Sequence, residues 1–267
     1  MKSIIKQELR IGLKTFLFWT LGLSLLTIGG MFKYLGFNAN TGVDISVLFN
    51  QFPKIIIAMF GMANLDIQSL GGFYAVLESY VLISTAIFSI YLGTNAVSRE
   101  MVDKTYEFIF TKPRTRSCIL TGKLLGGMIY LCTFCILNGI FSIIALQIYG
   151  ILNTIQTTIL LYSLASFLVG IVFFSLSAML STLFKRSEIG TTVSNAVFIF
   201  SYTLSVMFDS LDKNTFIKPF TPLRYFVPKD LIAGQFDVLF LGFSLVLCVI
   251  FLTIAYIAFQ KRDLNAV

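Results

Sequence analysis

Six long apolar runs dominate this 267-residue sequence and limit what it can fold into. About 20 apolar residues in a helix cross the hydrocarbon core of a bilayer. In lipid the backbone polar groups must bond to one another, so a run of this length has to be helical. The sequence therefore predicts an all-α integral membrane protein, a bundle of six transmembrane helices at about 15–32, 72–97, 124–148, 157–184, 189–208 and 238–259.

The composition agrees with a lipid environment. Hydrophobic residues make up 57% of the chain and charged residues only 12%, against about 25% in soluble domains. We find no internal repeat or linker, which predicts a single transmembrane domain over 1–267. A shorter apolar stretch, about 55–62, follows Pro53 and is too short to span, so we expect an interfacial or re-entrant segment there.

The distribution of basic residues predicts the orientation. Fourteen of the 20 Lys and Arg residues lie in segments 1–14, 98–123, 185–188 and 260–267. Basic residues are enriched in cytoplasmic segments. We therefore expect both termini in the cytoplasm and the chain in the cell membrane.

Other classes of protein fit the composition poorly. The net charge of +7 comes from basic residues scattered between apolar runs, whereas nucleic-acid binding needs them clustered on a folded surface. The chain has no His, and its Cys132-x-x-Cys135 pair lies inside the third apolar run. A zinc site needs more N or S ligands than this. We expect no catalytic, cofactor-binding or metal-binding residue and no binding of nucleic acid.

The first 14 residues form an amphipathic pattern. Lys2, Lys6, Arg10 and Lys14 recur every four residues, along one face of a helix. This pattern is typical of an interfacial helix whose cations face anionic lipid headgroups. The alternative is that these residues only fix the topology, and both interpretations can hold together.

The segment between the second and third runs, 98–123, is the most informative polar stretch. Its first half has helical periodicity, with opposite charges four residues apart in the pairs Arg99–Asp103 and Glu100–Lys104. Pro113 ends this helix. Periodicity alone predicts either a docking element or a helix that covers the base of the bundle.

This segment resembles the first cytoplasmic loop of ABC-2 type transporter permeases. That loop has an acidic residue, Gly-Thr or Lys-Thr, a Glu two positions later, a leucine-rich stretch, Pro-x-x-Arg and a Lys that opens the next span. The matching residues are Glu100, Thr105, Glu107, Phe108–Phe110, Pro113, Arg116 and Lys123. Two later segments also match, Pro222–Phe226 before the last run and Phe259–Asp263 after it.

The resemblance implies an ATP-driven exporter. A separate ABC ATPase subunit, which binds ATP and Mg²⁺, docks on a cytoplasmic coupling helix, and two permease subunits (a homodimer or heterodimer) form the pathway. It implies coupling roles for Arg99, Glu100, Met101, Asp103, Lys104, Thr105, Glu107, Phe108, Pro113 and Arg116. The alternative for this stretch is a solvated run of charges.

The membrane runs contain few polar candidates for a transport pathway. Glu78 is the only ionisable residue in them, and a carboxylate in the bilayer normally faces the bundle interior or water. Asn138 and Asn195 are further candidates, although such residues more often bond neighbouring helices. Gly122 and Gly126 are four residues apart, a spacing that allows close helix contact.

The chain contains no complete phosphate-binding loop, because Thr121-Gly122-Lys123 lacks the upstream glycine. Nucleotide binding is therefore expected only in the partner ATPase. The alternative function is an ATP-independent membrane transporter or channel. An intramembrane enzyme would need nucleophiles, carboxylates or metal ligands clustered at one depth, which this sequence lacks.

Overall fold

The computed structural model describes residues 2–40, 52–102, 115–148, 150, 155–184, 186–211 and 216–261, and within them it contains helices and no strands. Six of these helices are long and apolar enough to cross a membrane. The eight described α-helices are α1 (Lys2–Asn40), α2 (Lys54–Met59), α3 (Leu70–Val102), α4 (Arg116–Ile148), α5 (Gln156–Leu183), α6 (Ser187–Ser210), α7 (Pro228–Ile232) and α8 (Val238–Lys261). The predicted all-α bundle with six spans is confirmed.

Helix α5 lies at the centre of the bundle, in contact with α3, α4, α6 and α8, while α1 packs mainly on α4. The spans of α3 and α5 are the most deeply buried, and those of α1 and α8 are the most exposed. Large aromatic side chains fill the middle, among them Phe88, Phe134 and Phe174. The side chains left exposed on α1 and α8 are mostly apolar, as expected for surfaces that face lipid or another membrane chain.

Three helices are longer than their apolar runs. Helix α1 starts at Lys2, α3 continues to Val102, and α4 begins at Arg116. Thirty-three residues, as in α3, extend over roughly 50 Å at about 1.5 Å each, and the hydrocarbon core is about 30 Å thick. These helices therefore carry polar stems that extend beyond the bilayer. We call the end of the bundle with these stems the amino-terminal face, which the sequence predicts to be cytoplasmic.

One prediction about local organisation needs correction. The first 14 residues are helical but do not form a helix of their own, because α1 runs on from Lys2 into the first span. Residues 99–102 form the last turn of α3, and the rest of the predicted coupling helix lies outside the described residues. Gly12 lies close to the junction in α1, yet the helix is continuous from the polar segment into the apolar run.

The short apolar stretch after Pro53 contains α2, which packs against α6 at the opposite face of the bundle. The chain turns after it through Gly61 and Asn64, which have φ of 70° and 58°. The last carbonyls of a helix lack partners within it. Tyr202 donates to the carbonyl of Met59 at 2.9 Å and Tyr80 to that of Phe60 at 3.2 Å, so α2 is tied to α6 and α3.

Among the described glycines of the spans, Gly93 of α3 lies closest to a neighbouring span. A Cβ atom there would lie 2.1 Å from Oγ of Ser177 and 2.3 Å from the carbonyl oxygen of Phe174, both on α5. Because one of these atoms belongs to the backbone, a side chain could fit only if the two helices moved apart. Gly93 therefore sets the distance between the two most buried spans.

We expect Gly93→Ala to lower the melting temperature of the purified protein in detergent, because overpacking costs about 1–3 kcal/mol. The matched control is Gly22→Ala on α1, where no atom lies within 4 Å of the added Cβ. The control should be neutral or slightly stabilising, since Ala favours helix over Gly. Thermal unfolding, monitored by thiol labelling, gives the melting temperature of each variant. Equal melting temperatures for the two variants would contradict the packing argument.

Candidate functional site

A cluster of three charges joins α1, α3 and α4 at the amino-terminal face. Arg99 near the end of α3 bonds through Nη1 to Oε2 of Glu8 at 2.7 Å, and Nζ of Lys123 on α4 lies 3.9 Å from Oε1 of the same carboxylate. All three side chains are largely buried, with exposed fractions of 16%, 11% and 4% for Arg99, Glu8 and Lys123. We call this cluster the Glu8 junction.

Small residues bring α1 and α4 close enough for this junction to form. A Cβ atom on Gly122 would lie 3.0 Å from Cγ2 of Ile4, and one on Gly126 would lie 2.8 Å from Cβ of Glu8. One turn further along, Tyr130 donates a hydrogen bond to the carbonyl of Leu9. The two helices therefore run parallel, and the close contact predicted at Gly122 and Gly126 is confirmed.

A second set of contacts joins the start of α4 to the end of α8. Arg116 donates through Nη1 to the carbonyl of Gln260 at 3.3 Å, and Gln260 donates through Nε2 to Oγ of Ser117 at 2.9 Å. Near the same end of the helices, the hydroxyls of Thr121 and Tyr256 lie 2.7 Å apart. We call these contacts the Gln260 junction. The helix stems on both sides of segment 103–114 are thus each attached to another span.

The structure describes only some of the predicted coupling residues. Arg99, Glu100 and Met101 lie in the last turn of α3, and Arg116 is the first residue of α4. The others lie outside the described residues, namely Asp103, Lys104, Thr105, Glu107, Phe108 and Pro113. The predicted pairing of Arg99 with Asp103 involves a residue outside the described ones, and within the described residues the Arg99 side chain bonds to Glu8.

The predicted lipid-facing stripe is exposed along its whole length, at Lys2, Lys6, Arg10 and Lys14. The other side of this segment is half-buried at Ile4 and Leu9. Ile4 covers Gly122, and Leu9 packs against the core. The segment therefore packs against the bundle at Ile4 and Leu9, and its cationic side faces outward.

A polar cluster surrounds Glu78 inside the opposite half of the bundle. The Glu78 side chain is completely buried. Nδ2 of Asn138 donates to both carboxylate oxygens, at 3.2 and 3.1 Å, and Oγ of Ser142 lies 3.5 Å from Oε1. Tyr74 donates to Ser142 at 3.1 Å, and its ring meets that of Tyr162 edge-on at 5.7 Å. The cluster joins α3, α4 and α5.

The structure brings together two of the three predicted pathway residues, Glu78 and Asn138. Asn195 is exposed on α6 and takes no part in the cluster. Ser142 and the two tyrosines could not be predicted, because single hydroxyls are common in apolar helices and carry no signal of their own. The role of Glu8 was not predicted either, although the sequence carries a signal for it. Glu8 is the only acidic residue among the first 14.

Two ion pairs hold the segment before α8 at the opposite face. Arg224, within the Pro-Leu-Arg-Tyr-Phe match, contacts Oδ2 of Asp209 on α6 through Nε and Nη2 at 2.7 and 2.6 Å. Lys218 contacts Oδ2 of Asp237 at 2.7 Å and lies 4.1 Å from the ring centre of Phe240. These pairs fix the segment to α6 and to the start of α8.

Asp237 also caps α8, because its Oδ1 accepts a hydrogen bond from the backbone N–H of Phe240 at 3.2 Å. Burial raises the pKa of this carboxyl, but the bonds from Lys218 and from the backbone outweigh that effect and hold the pKa below its usual value. The side chain is 34% exposed, so solvent weakens the pair.

The fold and these junctions define a multi-pass membrane protein whose stems are attached to one another at one face. Within the described residues, no three His, Cys, Asp or Glu side chains form a group that could hold a metal ion. The sequence matches the model described as ABC-2 family transporter protein over residues 2–264. The chain belongs to this family, as the resemblance predicted, and is a membrane permease subunit of an ABC transporter. No curated protein matches the sequence.

The Glu8 junction predicts a coupling energy between Glu8 and Arg99. We expect Glu8→Gln to lower the free energy of unfolding by about 2 kcal/mol, because it leaves two largely buried cations without their carboxylate. Adding Arg99→Gln should recover part of that loss, which a double-mutant cycle by thermal unfolding measures. Lys6→Gln, on the exposed side of the same helix turn, is the control and should change little. Additive effects of the Glu8 and Arg99 substitutions would show that the two side chains act independently.

The Asp237 cap predicts a stability contribution that depends on pH. Because its folded pKa is lowered, the contribution is complete above the usual pKa of about 3.9 and is lost as the pH falls through the lowered value. Asp237→Asn keeps an oxygen for the cap and removes the charge. We expect it to cost below about 1 kcal/mol at pH 7 and nothing in strong acid. Melting curves at both pH values test this, and a pH-independent difference would contradict it.

Proposed function

We propose that this permease subunit forms the translocation pathway of an ABC-2 exporter as a dimer, either with itself or with a second permease. A separate ATPase subunit, which binds ATP and Mg²⁺, drives it. One observation supports this above the others. The stems on both sides of segment 103–114 are attached to the bundle, through Arg99 to Glu8 and through Arg116 to Gln260. Membership in the ABC-2 family supports the same proposal.

This arrangement suits a segment that receives force from another protein. A displacement of segment 103–114 moves the end of α3 and the start of α4. The Glu8 junction passes the movement to α1, and the Gln260 junction passes it to α8. In this mechanism Asp103, Lys104, Thr105, Glu107 and Phe108 meet the ATPase, while Arg99 and Arg116 transmit its movement to the helices.

The amino-terminal stem supplies the contact with lipid. Its four exposed cations lie on the side that faces away from the bundle, and each cation near an anionic leaflet contributes about 1 kcal/mol. We propose that this stripe binds anionic headgroups at the cytoplasmic surface of the cell membrane. Both termini then lie in the cytoplasm, as the distribution of Lys and Arg predicts.

Replacing 103–110 with a Gly/Ser segment of equal length tests the coupling role. We expect the ABC ATPase captured with the tagged wild-type chain from native membranes to be lost from the variant, and ATP turnover of the reconstituted complex to fall at least tenfold. The replacement leaves every described helix in place, so the variant should still insert and melt like the wild type. The control is a Gly/Ser replacement of 149–154, between α4 and α5 at the opposite face, that keeps the length of that segment. This variant should retain both the capture of the ATPase and the ATP turnover.

Unchanged capture and turnover in the 103–110 variant would rule out the coupling role. Transport by vesicles that contain this chain alone, without nucleotide, would rule out an ATP-driven mechanism and favour the ATP-independent transporter.

A further inference from the structure

Glu78 is a carboxyl group inside the membrane, and no described residue supplies a compensating charge beside it. It is completely buried, and among the described residues it makes no ion pair. The basic side chain that also interacts electrostatically with this cluster, Arg224, bonds to Asp209 instead. An ionised carboxylate at such a position is unfavourable, and in proteins it normally acquires a counter-charge or a proton.

The Asn138 side chain leaves one buried acceptor atom beside Glu78 without a described donor. Asn138 donates its amide nitrogen to both carboxylate oxygens, and its own Oδ1 is buried and has no partner within the described residues. The hydroxyl of Tyr162 is likewise buried and without a described partner. An ionised carboxylate only accepts hydrogen bonds, so it leaves Oδ1 of Asn138 unsatisfied. Buried polar atoms rarely lack a hydrogen-bond partner.

A protonated Glu78 resolves this mismatch. The acid O–H donates to Oδ1 of Asn138 while Nδ2 of the same amide donates to the other carboxyl oxygen, which forms a closed pair of two hydrogen bonds. A small rotation of the amide is enough, because its nitrogen already lies 3.1–3.2 Å from both oxygens. Every polar atom of the acid–amide pair then has a partner, and no net charge is buried.

We propose that Glu78 is an intramembrane proton-binding site, occupied in this conformation and closed by Asn138. Because the proton lies between the side chains of Glu78 on α3 and Asn138 on α4, it can leave only when these two helices separate. Glu78 lies eight residues from the start of α3 at Leu70, which is about 12 Å along the helix. Exchange therefore takes place with the opposite face, away from the Glu8 junction.

The groups around the carboxyl favour a proton over a metal cation. The titratable neighbours are Tyr74 on α3, Cys135 on α4 and Tyr162 on α5, all of which are neutral when protonated. The nitrogen of Asn138 already occupies the position in front of both carboxylate oxygens where a cation would bind. A proton needs no such space. This site is independent of the ATPase proposal, because it depends only on contacts within the bundle.

Infrared spectroscopy of the full chain in lipid nanodiscs tests the site. We expect the carbonyl stretch of a buried carboxylic acid at pH 7, shifted to lower frequency in D₂O, and lost in Glu78→Gln. The Gln variant should melt within about 3 °C of the wild type, since ΔΔG below about 1 kcal/mol moves Tm by only a few degrees in a chain of this size. Asp237→Asn, which removes a carboxyl at the opposite face, is the control and should retain the band.

A second variant distinguishes a protonated carboxyl that is hydrogen-bonded to Asn138 from a protonated carboxyl without that bond. Asn138→Ala should move the band to higher frequency, because the carboxyl loses its hydrogen bonds while it keeps its proton. Absence of a band assigned to Glu78 at pH 7 would overturn the proposal. A Na⁺ or K⁺ dependence of the melting temperature that disappears in Glu78→Gln would also overturn it, in favour of a cation site.

Discussion

Charge must be paired wherever it leaves water, and this constraint organises both faces of the bundle. At the amino-terminal face, the carboxylate of Glu8 lies between the largely buried cations of Arg99 and Lys123. At the opposite face, Arg224 meets Asp209. The first of these contacts joins Arg99 to a residue 91 positions earlier, and the second joins α6 to the segment before α8. The same electrostatic requirement that makes such groups costly in lipid therefore determines which helix ends lie side by side.

Between the two faces the helices are held by close contact. Lipid tails are as apolar as Leu, so burial of apolar surface adds little, and association depends on packing and hydrogen bonds. Glycines supply that contact. Gly93 lets α3 approach the backbone of α5, and Gly126 lets α4 approach the stem of α1 beside Glu8. The Glu8 junction thus depends on the absence of a side chain at Gly126 of α4. A bulkier residue there would push the Glu8 carboxylate away from Arg99 and Lys123.

The six spans could be predicted because apolar length alone selects membrane helices. The ends of the helices could not be predicted, since hydropathy records where a helix contacts lipid and not where it stops. The stems that begin at Lys2 and end at Val102 are helical although they lie outside the apolar runs. The partners of single polar residues were also beyond the sequence. Asn138 and Asn195 look alike in their apolar runs, yet one faces Glu78 and the other faces outward, a difference set by how the helices turn against one another.

The two polar sites lie on the same pair of helices. Arg99 and Glu78 are 21 residues apart on α3, roughly 30 Å, and α4 carries both Lys123 and Asn138. In the proposed mechanism, a movement of the stems that parts α3 from α4 also opens the acid–amide pair. The reverse follows from thermodynamic linkage, because any ligand that favours one conformation is itself bound more tightly by it. A proton bound at Glu78 would therefore stabilise the closed contact, and its release would favour the separated one. The two proposals, a proton site inside the bundle and a coupling segment at the amino-terminal face, thus concern a single equilibrium between α3 and α4.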